Sequence, residues 1–182
     1  MAGGKEYIIQ FVGLAFGKHK FEFEVKDKFF DGLEFSEIKH GNVHIDLELL
    51  KQSSMMSLEF NISGTVKVPC DICTEEFDLP IEGDYKLIVK VGGNDDQEED
   101  DDIITIAANE HQLDLAQYIY EYITLSLPIK RVHPPDEKGK STCDPEMVKK
   151  VESYLTDDPG EDDDEEGGND PRWDGLKGIK LN

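Results

Sequence analysis

Leu58–Val68, LEFNISGTVKV, is the stretch on which the fold turns. Leu58, Phe60, Ile62, Val66 and Val68 occupy every second position with polar residues between them, and Gly64 takes the remaining place on the apolar side. Side chains of a strand point alternately to its two faces, so this pattern predicts a strand with one buried and one wet face. A glycine on the apolar side predicts a bulge or the close approach of another backbone. The same alternation surrounds this run. Phe21, Phe23 and Val25 alternate with charged residues, as do Val43, Ile45, Leu47 and Leu49. Phe77, Leu79 and Ile81 continue it, Gly83 interrupts it, and Tyr85, Leu87, Val89 and Val91 resume it. Tyr7–Phe11 is a shorter apolar run, and Ile103–Ile106 reads as a strand that returns. Asp31-Gly32, Gly41-Asn42 and Gly92-Gly93-Asn94 are turn signals. With no helix between neighbouring strands, antiparallel pairing is expected and a doubly wound sheet is not.

Two helices are predicted. Leu115, Tyr118, Ile119, Tyr122 and Ile123 recur at helical spacing behind Asp114, a residue type suited to the N-cap, and Pro128 stops the helix by about Leu127. A weaker one covers Pro145–Leu155, with Met147, Val148, Val151 and Leu155 on one side. The expected class is therefore α+β: a predominantly antiparallel sheet or partly open barrel, one packed amphipathic helix and a short C-terminal helix. The expected organisation is a strand-rich domain over 1–156 with an acidic loop at 93–102, a disordered acidic linker over 157–170, and a basic, Trp-containing segment over 171–182.

Charge is concentrated in two of these segments. The chain carries −22, of which Asp95–Asp102 contributes seven acids and Asp157–Asp170 nine, leaving the remainder near −6. Runs of like charge repel themselves and bury little, so they read as solvated, flexible stretches. They also attract a basic partner across about a Debye length. Coating of a nucleic acid by the whole surface is disfavoured, because phosphates are bound by concentrated Lys and Arg. No run approaches the roughly 20 apolar residues of a membrane span, and MAGGKEYIIQFVGL lacks the apolar core of a secretory signal. Three cysteines without an export signal read as reduced thiols, which places the chain in the cytoplasm.

The chemical signal is Cys70-Asp71-Ile72-Cys73 between two strand-like runs. A tight turn aims both thiols at one point, and a structural zinc wants four such ligands in a tetrahedron. His133 and Cys143, in HPPDEKGKSTC after the first helix, complete a set of Cys70, Cys73, His133 and Cys143. The plainer alternative is two half-buried thiols at a hairpin tip with an incidental histidine and cysteine. His19, His40, His44 and His111 have polar neighbours and no second ligand close in sequence, so they read as surface residues. A redox pair needs the end of a strand entering a helix, whereas strands flank this pair, and Asp71, Glu75 and Glu76 are expected to raise the thiol pKa. No phosphate loop, GxSxG elbow, HExxH or dinucleotide fingerprint is present, so nothing argues for an enzyme. In the last segment, Trp173 could stack on a base while Arg172, Lys177 and Lys180 meet phosphates. Trp173, Leu176 and Ile179 could equally dock as a short helix.

Three motifs in order, VPCDICTEEFDLPI, LSLPIKRVH with Cys143 behind it, and the closing DPRWDGLKGIKLN, resemble the YceD family of bacteria and plastids. The match runs over roughly Val43 to Asn182. It departs from the family pattern inside the cysteine pair, where a residue that is usually basic is Asp71 or Ile72. The resemblance implies a bacterial, non-catalytic factor for accumulation of large-subunit ribosomal RNA. With the acidic charge, it points to ribosome assembly through a basic ribosomal protein or pre-ribosomal particle, while the residues themselves show no evident small-molecule site and no membrane span. The other expectation is a zinc-stabilised adaptor or regulator acting outside the ribosome.

Overall fold

The computed structural model describes residues 5–33, 36–92, 102–136 and 138–156. In chain order its elements are β1 (Ile8–Ile9), β2 (Gly17–Lys26), α1 (Asp27–Asp31), β3 (Gly41–Lys51), β4 (Met55–Pro69), β5 (Glu76–Val91), β6 (Ile103–Ile106), β7 (Leu113–Asp114), α2 (Ala116–Leu125) and α3 (Pro145–Thr156). β2 to β6 form a five-stranded open sheet in sequence order, and β1 pairs with β7 in a separate two-stranded ribbon. The sheet is not a closed barrel.

β4 is the spine of this sheet. Its alternation places Leu58, Phe60, Ile62, Val66 and Val68 at no more than 2% exposure. Each lies opposite a residue of β5 on the same face, with Phe60 opposite Tyr85 and Leu58 opposite Leu87. On the other side, Ile62, Phe60 and Leu58 lie opposite Ile45, Leu47 and Leu49 of β3. The register runs through Gly64 without a slip, so there is no bulge. Close approach is the reason for the glycine: a Cβ there would stand 2.4 Å from the Asn42 carbonyl oxygen and 2.7 Å from the Val43 Cα. Pro80, which has no N–H to donate, falls in a stretch of β5 paired only with β4 among the described residues, where an edge tolerates it.

Helix α2 covers the apolar face. The N-cap is Leu115, one residue after the expected Asp114, which ends β7 and whose Oδ1 accepts the Ala116 amide at 2.9 Å. Leu115, Ile119, Tyr122 and Ile123 are buried, while Tyr118 is half-buried. The Tyr122 ring meets Phe60 edge-on at 5.1 Å and stacks on Tyr85 at 4.6 Å. At the other end of the face, α1 buries Phe29 and Phe30, and Tyr7 packs on Phe29 at 4.9 Å.

Three features depart from expectation. β6 runs parallel to β5, with Ile88 opposite Ile103 and Val91 opposite Ile106, so the antiparallel rule fails at this pair. Asp27–Asp31, for which the sequence predicts no element, is a helical turn that drives two phenylalanines inward and ends at the expected Asp31-Gly32 turn. The Tyr7–Phe11 run yields only a two-residue strand, paired with β7. The chain divides into two units after Cys143. In the second, α3 spans Pro145–Thr156, with Asp144 Oδ1 accepting the Glu146 amide at 2.8 Å. Most of the acidic loop, the linker 157–170 and the segment 171–182 lie outside the described residues.

Candidate metal centre

The β4–β5 hairpin closes through residues 70–75. The Thr74 amide donates to the Cys70 carbonyl and the Cys70 amide to the Glu75 carbonyl, each at 2.9 Å. This tight closure requires a left-handed residue, and Thr74 supplies it at φ 62°. The turn presents Cys70 and Cys73 on its inner side, and the Ile72 amide points at Cys70 Sγ at 3.4 Å. The second arm begins where α2 ends. The Asp71 amide donates to the Arg131 carbonyl at 2.7 Å, and Asp71 Oδ2 accepts the Arg131 amide at 2.6 Å. Two residues on, the His133 ring lies against Phe77 at 4.6 Å.

The two arms bring Cys70, Cys73, His133 and Cys143 together with all ligand atoms within 4.8 Å of one another. Cys70 Sγ is 3.7 Å from Cys143 Sγ, and His133 Nδ1 is 3.4 Å from Cys73 Sγ and 3.6 Å from Cys143 Sγ. A tetrahedral ion with bonds of about 2.3 Å to sulfur and about 2.0–2.1 Å to nitrogen has S···S edges of about 3.8 Å and S···N edges of about 3.6 Å. These three edges agree to within about 0.2 Å and the other three are no longer than 4.8 Å, so the set could hold one metal ion. The three sulfurs are free thiols, and their residues are 2%, 2% and 6% exposed. Three buried sulfurs and one imidazole nitrogen are the donor set of a closed, structural type of centre.

The expected rise in thiol pKa is overturned at Cys70. Burial does push it up, but amides of Cys73, Ile72 and His133 and the His133 ring hydrogen-bond to it and bring it down to about 6. Sulfur is thus held nearer the thiolate that a metal requires. His19, His40 and His44 take no part. They bond to the Ala15 carbonyl, to Asp27, and to Glu24 and Asp46 respectively. Arg172, Trp173, Lys177 and Lys180 lie outside the described residues. Asp71 and Arg131 were not singled out from sequence as parts of this centre. The one available signal was a carboxylate placed between two ligands.

The wet face of the sheet forms a second feature. Across it run the rows Lys20–Glu48–Glu59–Lys86, Glu22–Asp46–Asn61–Asp84 and Glu24–His44–Ser63–Glu82. Glu22 faces Asp46 and Glu48 faces Glu59 directly, an arrangement that costs stability in a sheet. A shallow depression of about 690 Å³ lies over the first two rows. Among the described residues no helix is long and apolar enough to cross a membrane.

No curated protein and no solved structure matches the chain. A family model described as "Large ribosomal RNA subunit accumulation protein YceD" matches residues 58–180, more than half of the chain, and takes in all four converging ligands. The chain therefore belongs to the YceD family of large ribosomal RNA subunit accumulation proteins.

Proposed function

We propose that this protein is a non-catalytic cytoplasmic factor that supports large-subunit ribosomal RNA accumulation by engaging a basic ribosomal protein or pre-ribosomal particle. Family membership gives the role in accumulation. The distribution of charge carries the choice of partner. Two acidic runs accompany a sheet whose exposed rows set carboxylate against carboxylate, and a Lys- or Arg-rich surface would relieve that repulsion. Zinc is the proposed ion at Cys70, Cys73, His133 and Cys143, since soft thiolates with one imidazole favour it over oxygen-seeking cations. When bound, it would cross-link the hairpin to the segment after α2.

The test is sedimentation of tagged protein from cells at graded salt, with ribosomal RNA measured in a deletion strain. Co-migration with large-subunit precursors at low salt, release at high salt and loss of large-subunit RNA on deletion are expected. Migration only as free protein at low salt, with RNA unchanged on deletion, overturns the proposal. Metal analysis of chelator-free protein should return about one equivalent of zinc, and less than about a tenth removes the zinc reading.

A further inference from the structure

The two arms of the metal centre are built differently. Cys70 and Cys73 stand on a hairpin turn closed by its own backbone. The described residues of 128–143 form neither helix nor strand, and their order is local. Asp136 Oδ1 accepts the amides of Lys138 and Lys140 at 2.8 Å each, and Thr142 Oγ1 donates to the Pro134 carbonyl at 2.8 Å. Those bonds shape the arm without fixing it to the hairpin. Asp71 does that at the start of the arm, through the reciprocal main-chain and side-chain bonds to Arg131 and a 3.7 Å approach of Arg131 Nε to Asp71 Oδ1, beside the contacts His133 itself makes with Phe77, Cys70 and Cys73. It follows Cys70 directly, and Arg131 lies two residues before His133. The approach of the imidazole is therefore set by bonds that exist before any ion arrives.

We propose that Asp71 is a positioning residue that commits His133 to the fourth corner of the metal site. This rests on the zinc reading above. Without the carboxylate, the Arg131 amide loses its acceptor and the arm swings on its remaining contacts. Three thiolates then keep the ion while a water or an added ligand replaces the imidazole. Loss of a partner that orients a metal ligand weakens binding by about 10–100-fold. Asn at this position keeps a carbonyl oxygen for the Arg131 amide and loses only the ion pair, so it should retain the wild-type coordination.

The experiment is a Co(II) titration of the full chain, comparing wild type, Asp71→Ala, Asp71→Asn and His133→Ala by visible absorption. The wild type and Asp71→Asn should share the bands of a three-sulfur, one-nitrogen site. Asp71→Ala should bind about 10–100-fold more weakly and match the bands of His133→Ala. In the metal-free chain, hydrogen exchange at the Arg131 amide should speed up in Asp71→Ala and stay near wild type in Asp71→Asn. Wild-type bands and affinity in Asp71→Ala overturn the role of Asp71 alone. Failure of the wild type to take up cobalt or zinc overturns the zinc reading, and this role with it. Should Asp71→Ala not fold, an Asp71→Asn variant with the bands of His133→Ala overturns the proposal.

Discussion

Removing the metal should loosen a long-range cross-link, and its worth follows from the chain geometry. Cys70 and Cys143 are 73 residues apart in sequence. In the loop-entropy treatment of cross-links, closing a loop of that length restricts the unfolded chain by about 4 kcal/mol at 25 °C. This is an upper bound, because Asp71 still holds Arg131 when the ion is gone. For a chain of this size each kcal/mol moves the melting temperature by roughly 2–4 °C, so chelation should lower it by up to roughly 16 °C. The assay is thermal unfolding followed by circular dichroism, with and without a strong chelator, on wild type and on Cys143→Ser. Serine keeps the shape of the buried side chain and removes a ligand, so this variant should melt near the chelated wild type and ignore chelator. Superimposed wild-type curves after verified loss of metal would refute the cross-link argument. A Cys143→Ser variant as chelator-sensitive as wild type would refute the assignment of Cys143 as a ligand.

Other expectations follow from single contacts. Gly64→Ala drives a methyl into the Asn42 carbonyl and should cost about 1–3 kcal/mol in urea unfolding, with native-like stability refuting the close approach. Thr74→Gly relieves a β-branched residue at φ 62° and should stabilise by up to about 1 kcal/mol, less whatever its 2.6 Å hydroxyl bond to the Cys73 carbonyl contributes. His44 has a pKa raised above 6.5, chiefly by its hydrogen bond to Glu24, with Asp46 adding to the rise. Its contribution to stability is therefore complete below the unfolded value and fades as pH rises through the folded one. NMR titration should show the raised midpoint and its fall in Glu24→Gln. Glu22→Lys replaces a carboxylate facing Asp46, so it should raise the melting temperature while weakening salt-sensitive co-sedimentation with large-subunit precursors. Unchanged co-sedimentation would remove this face from the interaction.

The parts of the fold that were legible in sequence are those governed by local periodicity. β3, β4 and β5 follow from strict alternation, since burial of one face demands it at every second residue. α2 follows from the helical spacing of Leu115, Ile119, Tyr122 and Ile123, contained within a dozen residues, although its N-cap falls one residue after Asp114. The convergence of Cys70, Cys73, His133 and Cys143 was legible for a different reason. Thiols separated by two residues require a turn, and the third cysteine, with a histidine ten residues before it, follows the helix.

What sequence left open depends on partners distant along the chain. Ile103–Ile106 has the composition of a strand in either direction, and its parallel run against β5 comes from where the chain re-enters the sheet. Asp27–Asp31 is too short for a helical period, and its two phenylalanines turn inward because the sheet and Tyr7 offer them a surface. Cys70 illustrates both sides. Its place in a ligand pair is local, whereas its lowered pKa depends on amides and a ring delivered partly from His133. In sequence Asp71 is one more acid near a thiol; the two hydrogen bonds it shares with Arg131, 60 residues later, exist only in the fold. Alternation and ligand spacing are written along the chain because they act over a few bonds. Strand direction, the closing of the fourth ligand and the sign of a pKa shift arise only where separated segments meet, since those energies depend on distance in space.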